Sequence, residues 1–160
     1  MEDIINKLNN ANREEVYNLT KELRVDLNLA SAKLLLDEIH HINDVATMSL
    51  VISLLSDIKD EKFVDVLIQK IKTVEDIQIK KELLRIVWES SLNFTPHIDY
   101  FIELLQKSDF IIAFEASTIL EIMIEQLSKE QKEYLNNTIS IFSNDRSFLI
   151  ENILLELHNQ

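Results

Sequence analysis

The chain has 160 residues, 46% of them hydrophobic, with 28 acidic against 16 basic side chains and neither glycine nor cysteine. A net charge of −12 disfavours nucleic acid and anionic membranes, because both are held by lysine and arginine that neutralise phosphate; it leaves a basic protein partner open. The missing glycine removes the backbone turns of the P-loop, the dinucleotide fingerprint, the EF-hand and the Gly-x-Ser-x-Gly elbow, and the missing cysteine removes disulfides and thiolate zinc sites.

At this length one helical-repeat domain over residues 1–160 is expected. No apolar run approaches the ~18 residues of a membrane span. The opening MEDIINKLNN has no apolar core segment, so no signal peptide is expected and the setting is read as cytoplasmic. Three sequons, at Asn18, Asn93 and Asn136, are read as chance in an asparagine-rich chain.

In chain order, residues 3–9 and 13–25 predict one or two short helices, which make residues 1–28 a capping segment. Over 29–41, apolar Ala32, Leu35, Leu36 and Ile39 fall on one helical face. Asp44 then opens a helix to residue 57, with Thr47, Val51, Leu54 and Leu55 inward. The first pattern returns over 60–72 as Val64, Leu67, Ile68 and Ile71. Asp76 opens the next helix within 75–91, with Ile79, Leu83, Ile86 and Val87. After Pro96, placed to start a helix over 97–107, the pattern is Ile98, Phe101, Ile102 and Leu105. Asp109 opens a helix to 126 with Ile112, Ala116, Ile119 and Leu120. A fourth pair over 129–142 and 146–158 is degenerate: Lys132, Leu135, Asn136 and Ile139, then Ile150, Leu154 and Leu157. The broad apolar face of that last helix (Leu149, Ile150, Ile153, Leu154, Leu157) either closes the core or supports self-association. The period is thus 32–38 residues, and aspartate before a periodic helix caps its free N–H groups.

The best copy, from Leu104-Leu105 through Asp109, Ile112, Ala116, Ile119 and Leu120, has a leucine pair, an aspartate turn and a spaced apolar second helix. On these residues the segment 29–158 resembles a HEAT-type α-solenoid, in particular the short repeats of proteins similar to phycobilisome lyases. The resemblance implies an all-α, right-handed α-solenoid of about four HEAT-like helix pairs behind an N-terminal capping segment. Two departures stand out. The arginine such repeats carry after the apolar +3 position is Lys80 in one copy and Ala113 in another, and alanine is scarce, which predicts wider spacing of the helix pairs. A deoxyhypusine-hydroxylase type requires His-Glu pairs that the chain lacks; an alkylpurine-glycosylase type requires a basic channel.

In such a solenoid the second helices line the binding surface. Positions +5, +9, +12 and +16 from the opening aspartates point away from the core: Lys81, Arg85, Trp88 and Leu92, then Phe114, Thr118, Glu121 and Glu125. They predict a groove with two aromatic anchors, a small basic spot and an acidic flank. Asp37, His40 and His41 share a helix end, but histidine there is favourable to the dipole in its own right, and no metal site is expected. His97 with Asp99, His158, and the Glu121–Glu125 pair likewise give no recognisable catalytic spacing. No catalytic residue, metal or cofactor is therefore expected. The reading is a non-catalytic protein-protein interaction module that binds a protein partner on its second-helix surface. An acidic antidote or immunity-type protein for a basic partner is the special case. A HEAT-type lyase or other solenoid enzyme acting on a small molecule is the alternative.

Overall fold

A computed structural model describes residues 2–142 and 146–159. Among them it is all-helical, with no strand. The ten helices are α1 (Glu2–Asn10), α2 (Arg13–Asp26), α3 (Leu29–Glu38), α4 (Val45–Ser56), α5 (Lys62–Thr73), α6 (Ile77–Glu89), α7 (Ile98–Lys107), α8 (Phe110–Met123), α9 (Lys129–Ile139) and α10 (Ser147–Asn159). The last turns of the helices expected over 29–41 and 109–126 tighten into 3-10 turns, Ile39–His41 and Ile124–Gln126. Pro96 lies in a third, Thr95–His97, which leads directly into α7.

The helix starts follow from side-chain chemistry. Asp44 accepts from the Thr47 N–H, Asp76 from those of Gln78 and Ile79, and Asp109 from those of Ile111 and Ile112. Asn12 with Glu15, Asn28 with Ser31 and Ser128 with Gln131 form reciprocal capping boxes, each satisfying two or three orphan N–H groups. The helix ends follow from the absence of glycine. Helices commonly stop at a left-handed residue, usually glycine; here every described C-cap is helical or extended. Val74, Ser90 and Ser108 turn to extended backbone while their N–H groups still donate to the carbonyls of Lys70, Ile86 and Leu104.

The recurrent stripe is the core. Ala32, Leu35, Leu36 and Ile39, their counterparts Val64 to Ile71, and Ile98 to Leu105 are all buried. In the second helices only Ile79 of the twelve positions after Asp44, Asp76 and Asp109 is partly exposed. In the last pair Leu135, Ile139 and Ile150 are buried, while Leu154 and Leu157 are partly exposed.

The chain divides into two compact units, residues 1–92 and 93–160, at a point where the sequence has no linker composition. In the first unit α4 lies between α2 and α6, α3 packs on α5, α5 on α6 and α1 on α2. Polar links join segments more than thirty residues apart in the chain. Arg24 Nη2 meets Asp57 Oδ2 at 2.9 Å, Lys70 Nζ meets Asp37 Oδ1 at 3.4 Å, and Lys59 Nζ donates to Ser91 Oγ at 2.7 Å. Arg85 Nη1 donates to Ser49 Oγ and Ser56 Oγ to Glu89 Oε2, both at 3.3 Å. These partners stand 32 to 36 residues apart in the chain.

In the second unit α7 runs close along α8, and α10 packs on α8 and α9. Small residues allow the first approach: Ala113, Ala116 and Ser117 of α8 are buried. Tyr134 Oη donates to Asp99 Oδ1 at 2.7 Å across 35 residues. Arg146 donates to the carbonyls of Leu105 and Ser108, placing a cation at the negative end of α7. Leu149, Ile150 and Ile153 are buried, so this part of the apolar face of α10 lies in the core of the unit, while Leu154 and Leu157 stay partly exposed.

Asp109→Ala is expected to lower stability by about 1 kcal/mol, and Leu105→Ala by about 2–5 kcal/mol through the cavity it leaves. Denaturant unfolding followed by circular dichroism measures both. Equal losses at the two sites would refute the division of labour between cap and core.

Candidate functional site

The eight residues expected on the second-helix surface fall in different units, four with α6 and four with α8. Those of α6 only partly match the expectation. Trp88 is half-buried. Leu92 is buried, with 4% of its surface exposed: α6 ends at Glu89, so a residue three places further on no longer follows the helical period, and it turns inward. The small basic spot is already engaged. Arg85 Nε meets Glu89 Oε1 at 2.6 Å, and its Nη1 lies 3.7 Å from Glu82 Oε2. Lys81 Nζ lies 3.9 Å from Glu82 Oε1. Arg85 is better described as a tie between α6 and Ser49 of α4 than as a cation offered to a partner. Glutamates at i−3 and i+4 are visible in the sequence and are the signal for this pairing.

The residues of α8 form a different surface. Phe114 is 47% exposed, and Phe110, one turn earlier, is 62% exposed; Ile111 and Ile122 are exposed as well. Thr118 is partly exposed, and its hydroxyl donates to the Phe114 carbonyl at 3.2 Å, so its polarity is turned to the backbone. Glu121 is partly buried. Burial, and then the charge of Glu156 on α10, pushes its carboxyl above the usual range. Glu125 is exposed in the 3-10 turn that follows. Sequence spacing found Phe114 but not Phe110, Ile111 or Ile122; their apolar character at +1, +2 and +13 from Asp109 was the available signal. Glu156 had none, because its approach to Glu121 depends on how α10 packs on α8.

The other candidates are drawn into structural contacts. Asp37 turns to Lys70, while His41 Nδ1 lies 2.9 Å from Glu38 Oε2 and its ring stands against that of His40. His158 Nδ1 lies 2.6 Å from the Leu154 carbonyl. Among the described residues no three His, Asp or Glu side chains gather as for a metal ion. Burial, reinforced by Glu103, pushes the Tyr100 phenol up to about 12. In the first unit a cleft of about 700 Å³ is lined by Leu8, Val16, Tyr17, Asp44, Thr47 and Leu50. The Asp44 carboxylate there is held below its usual range, first by the Thr47 N–H and then by the Thr47 hydroxyl. Among the described residues no helix is long and apolar enough to cross a membrane.

A carboxyl raised in the folded state contributes stability that is present below the ordinary glutamate range and is lost as pH rises through its folded value. Glu121→Gln is therefore expected to be more stable than the parent near neutral pH, by about 0.5 kcal/mol or less at this partly exposed position. The gain should shrink as pH falls into the carboxylate range. Thermal melts across that range test it, and a variant less stable at neutral pH would show that the carboxylate is held by a favourable contact. No family model, curated protein or solved structure matches the chain.

Proposed function

We propose that the chain is a short HEAT-like helical-repeat protein, a right-handed α-solenoid in kind, that acts as a non-catalytic protein-protein interaction module and engages its partner through second helices. The repeat reading is supported by the buried stripes that recur along the sequence and by polar links between residues 32 to 36 places apart. In repeat proteins each unit depends on its neighbour for burial, and the faces left over are free for binding.

One observation carries the functional reading: the solvent side of α8 is apolar. A solvated helix ordinarily presents charge outward, whereas α8 presents Phe110, Ile111, Phe114 and Ile122. Contiguous exposed apolar surface marks an interaction site more often than scattered single residues do. Aromatic side chains are also the usual anchors of protein interfaces.

Photo-crosslinking tests the reading. A benzophenone amino acid at position 114 is expected to trap a discrete partner polypeptide in cells, whereas the same probe at Gln106, exposed on α7, is expected not to. Equal labelling at both positions, or none at 114, would overturn it.

A further inference from the structure

Six side chains of α8 are not buried: Phe110, Ile111, Phe114, Thr118, Glu121 and Ile122. Four of them are large and apolar. Phe110, Phe114 and Thr118 follow at four-residue steps, and Glu121 continues the same side of the helix. At 1.5 Å per residue the stripe from Phe110 to Ile122 is about 18 Å long. That is about three turns of a second helix whose anchors recur at i, i+4 and i+7.

Charge selects among possible occupants. Residues 110–126 and 147–159, which contain the packed helices α8 and α10, hold five glutamates and no lysine or arginine. The second unit as a whole has eleven acidic and four basic side chains. Of those four, Lys107 pairs with Glu103 at 3.0 Å and Arg146 with carbonyls at the end of α7. Glu121 and Glu156 repel each other across the α8–α10 contact. An occupant with lysine or arginine beside an apolar strip relieves that repulsion and covers the phenylalanines in one act. A second copy of this chain would bring further glutamates, and an anionic lipid surface would bring further negative charge.

Resting on the interaction reading above, we propose that the α8 face receives a basic amphipathic helix of a partner protein. Its apolar side lies on Phe110 and Phe114, and its lysines or arginines face Glu121, Glu125 and Glu156. Electrostatic steering of such a partner speeds encounter, while the apolar anchors hold the complex.

The test uses the full chain and three fluorescent amphipathic helical peptides of one apolar pattern, with lysine, glutamine or glutamate on the polar side. Fluorescence anisotropy is expected to show the lysine peptide binding at least about tenfold more tightly than the glutamine peptide, with the glutamate peptide weakest. Phe110→Ser with Phe114→Ser is expected to weaken lysine-peptide binding about tenfold or more. Glu121→Gln with Glu156→Gln is expected to weaken it severalfold and flatten its salt dependence, circular dichroism confirming that each variant stays helical. Lysine-peptide binding that survives loss of both phenylalanines would be diffuse attraction to an acidic chain, and the proposal would fall. If the glutamine or glutamate peptide binds as tightly as the lysine peptide and needs the phenylalanines, the interaction reading stands and the basic partner is wrong. Concentration-dependent sedimentation abolished by Phe114→Ser would make a second copy the occupant, against the proposal. If neither peptide binding nor crosslinking depends on Phe114, the interaction reading itself falls.

Discussion

Everything in this fold depends on apolar stripes that a helix cannot cover by itself. A helix with Leu35, Leu36 and Ile39 on one face, or Leu67, Ile68 and Ile71, gains stability only when another element excludes water from that face. Here the covering elements include helices two elements away in sequence: α3 against α5, and α4 between α2 and α6. The polar links Arg24–Asp57, Lys70–Asp37 and Arg85–Ser49 keep the same separation. They are exposed or half-exposed contacts that contribute little each, so they follow the packing more than they cause it. The absence of glycine fits this economy. Chain reversals are made by stepping to extended backbone at Val74, Ser90 and Ser108, which any residue can adopt.

What was legible in the sequence was local or periodic. Helical spacing placed the first-helix stripes correctly as buried, and the aspartates at 44, 76 and 109 marked helix starts because capping is settled within three residues. The fourth pair was harder because Lys132 and Asn136 interrupt its stripe. Leu92 departs from the expected outward position because α6 stops at Glu89 and the helical period does not continue past it. The engagement of Arg85 by Glu82 and Glu89 is readable at i−3 and i+4, whereas spacing from the aspartate places Arg85 in a basic spot on the binding surface. The division after Leu92 had no compositional mark. The coupling of Glu156 to Glu121 had none either, since it depends on the packing of α10 on α8 and the two residues stand 35 places apart in the chain.

The contrast between α6 and α8 shows where individuality resides in this chain. Their inner positions match one for one: Ile79, Leu83, Ile86 and Val87 against Ile112, Ala116, Ile119 and Leu120. Outside they diverge. α6 carries Lys81, Glu82, Arg85 and Glu89, which pair with one another and with Ser49 and Ser56 of α4; its large exposed apolar residue is Ile77. α8 carries phenylalanine and isoleucine above glutamates without a lysine or arginine on either α8 or α10. Packing constrains the inner face because a neighbouring helix must fit it; it leaves the outer face unconstrained.

The outer face of α8 is therefore the informative one. Phe110 at 62% exposure leaves much of its apolar area in water, and the Glu121–Glu156 repulsion subtracts from stability. Helix propensity does not account for the choice either: phenylalanine and isoleucine rank below lysine, glutamate or alanine at a solvated helical position. A local rule broken twice on one surface, with no compensating gain inside the monomer, points to a role outside it. Both costs vanish together under one kind of occupant, apolar along its length and positively charged at its edge.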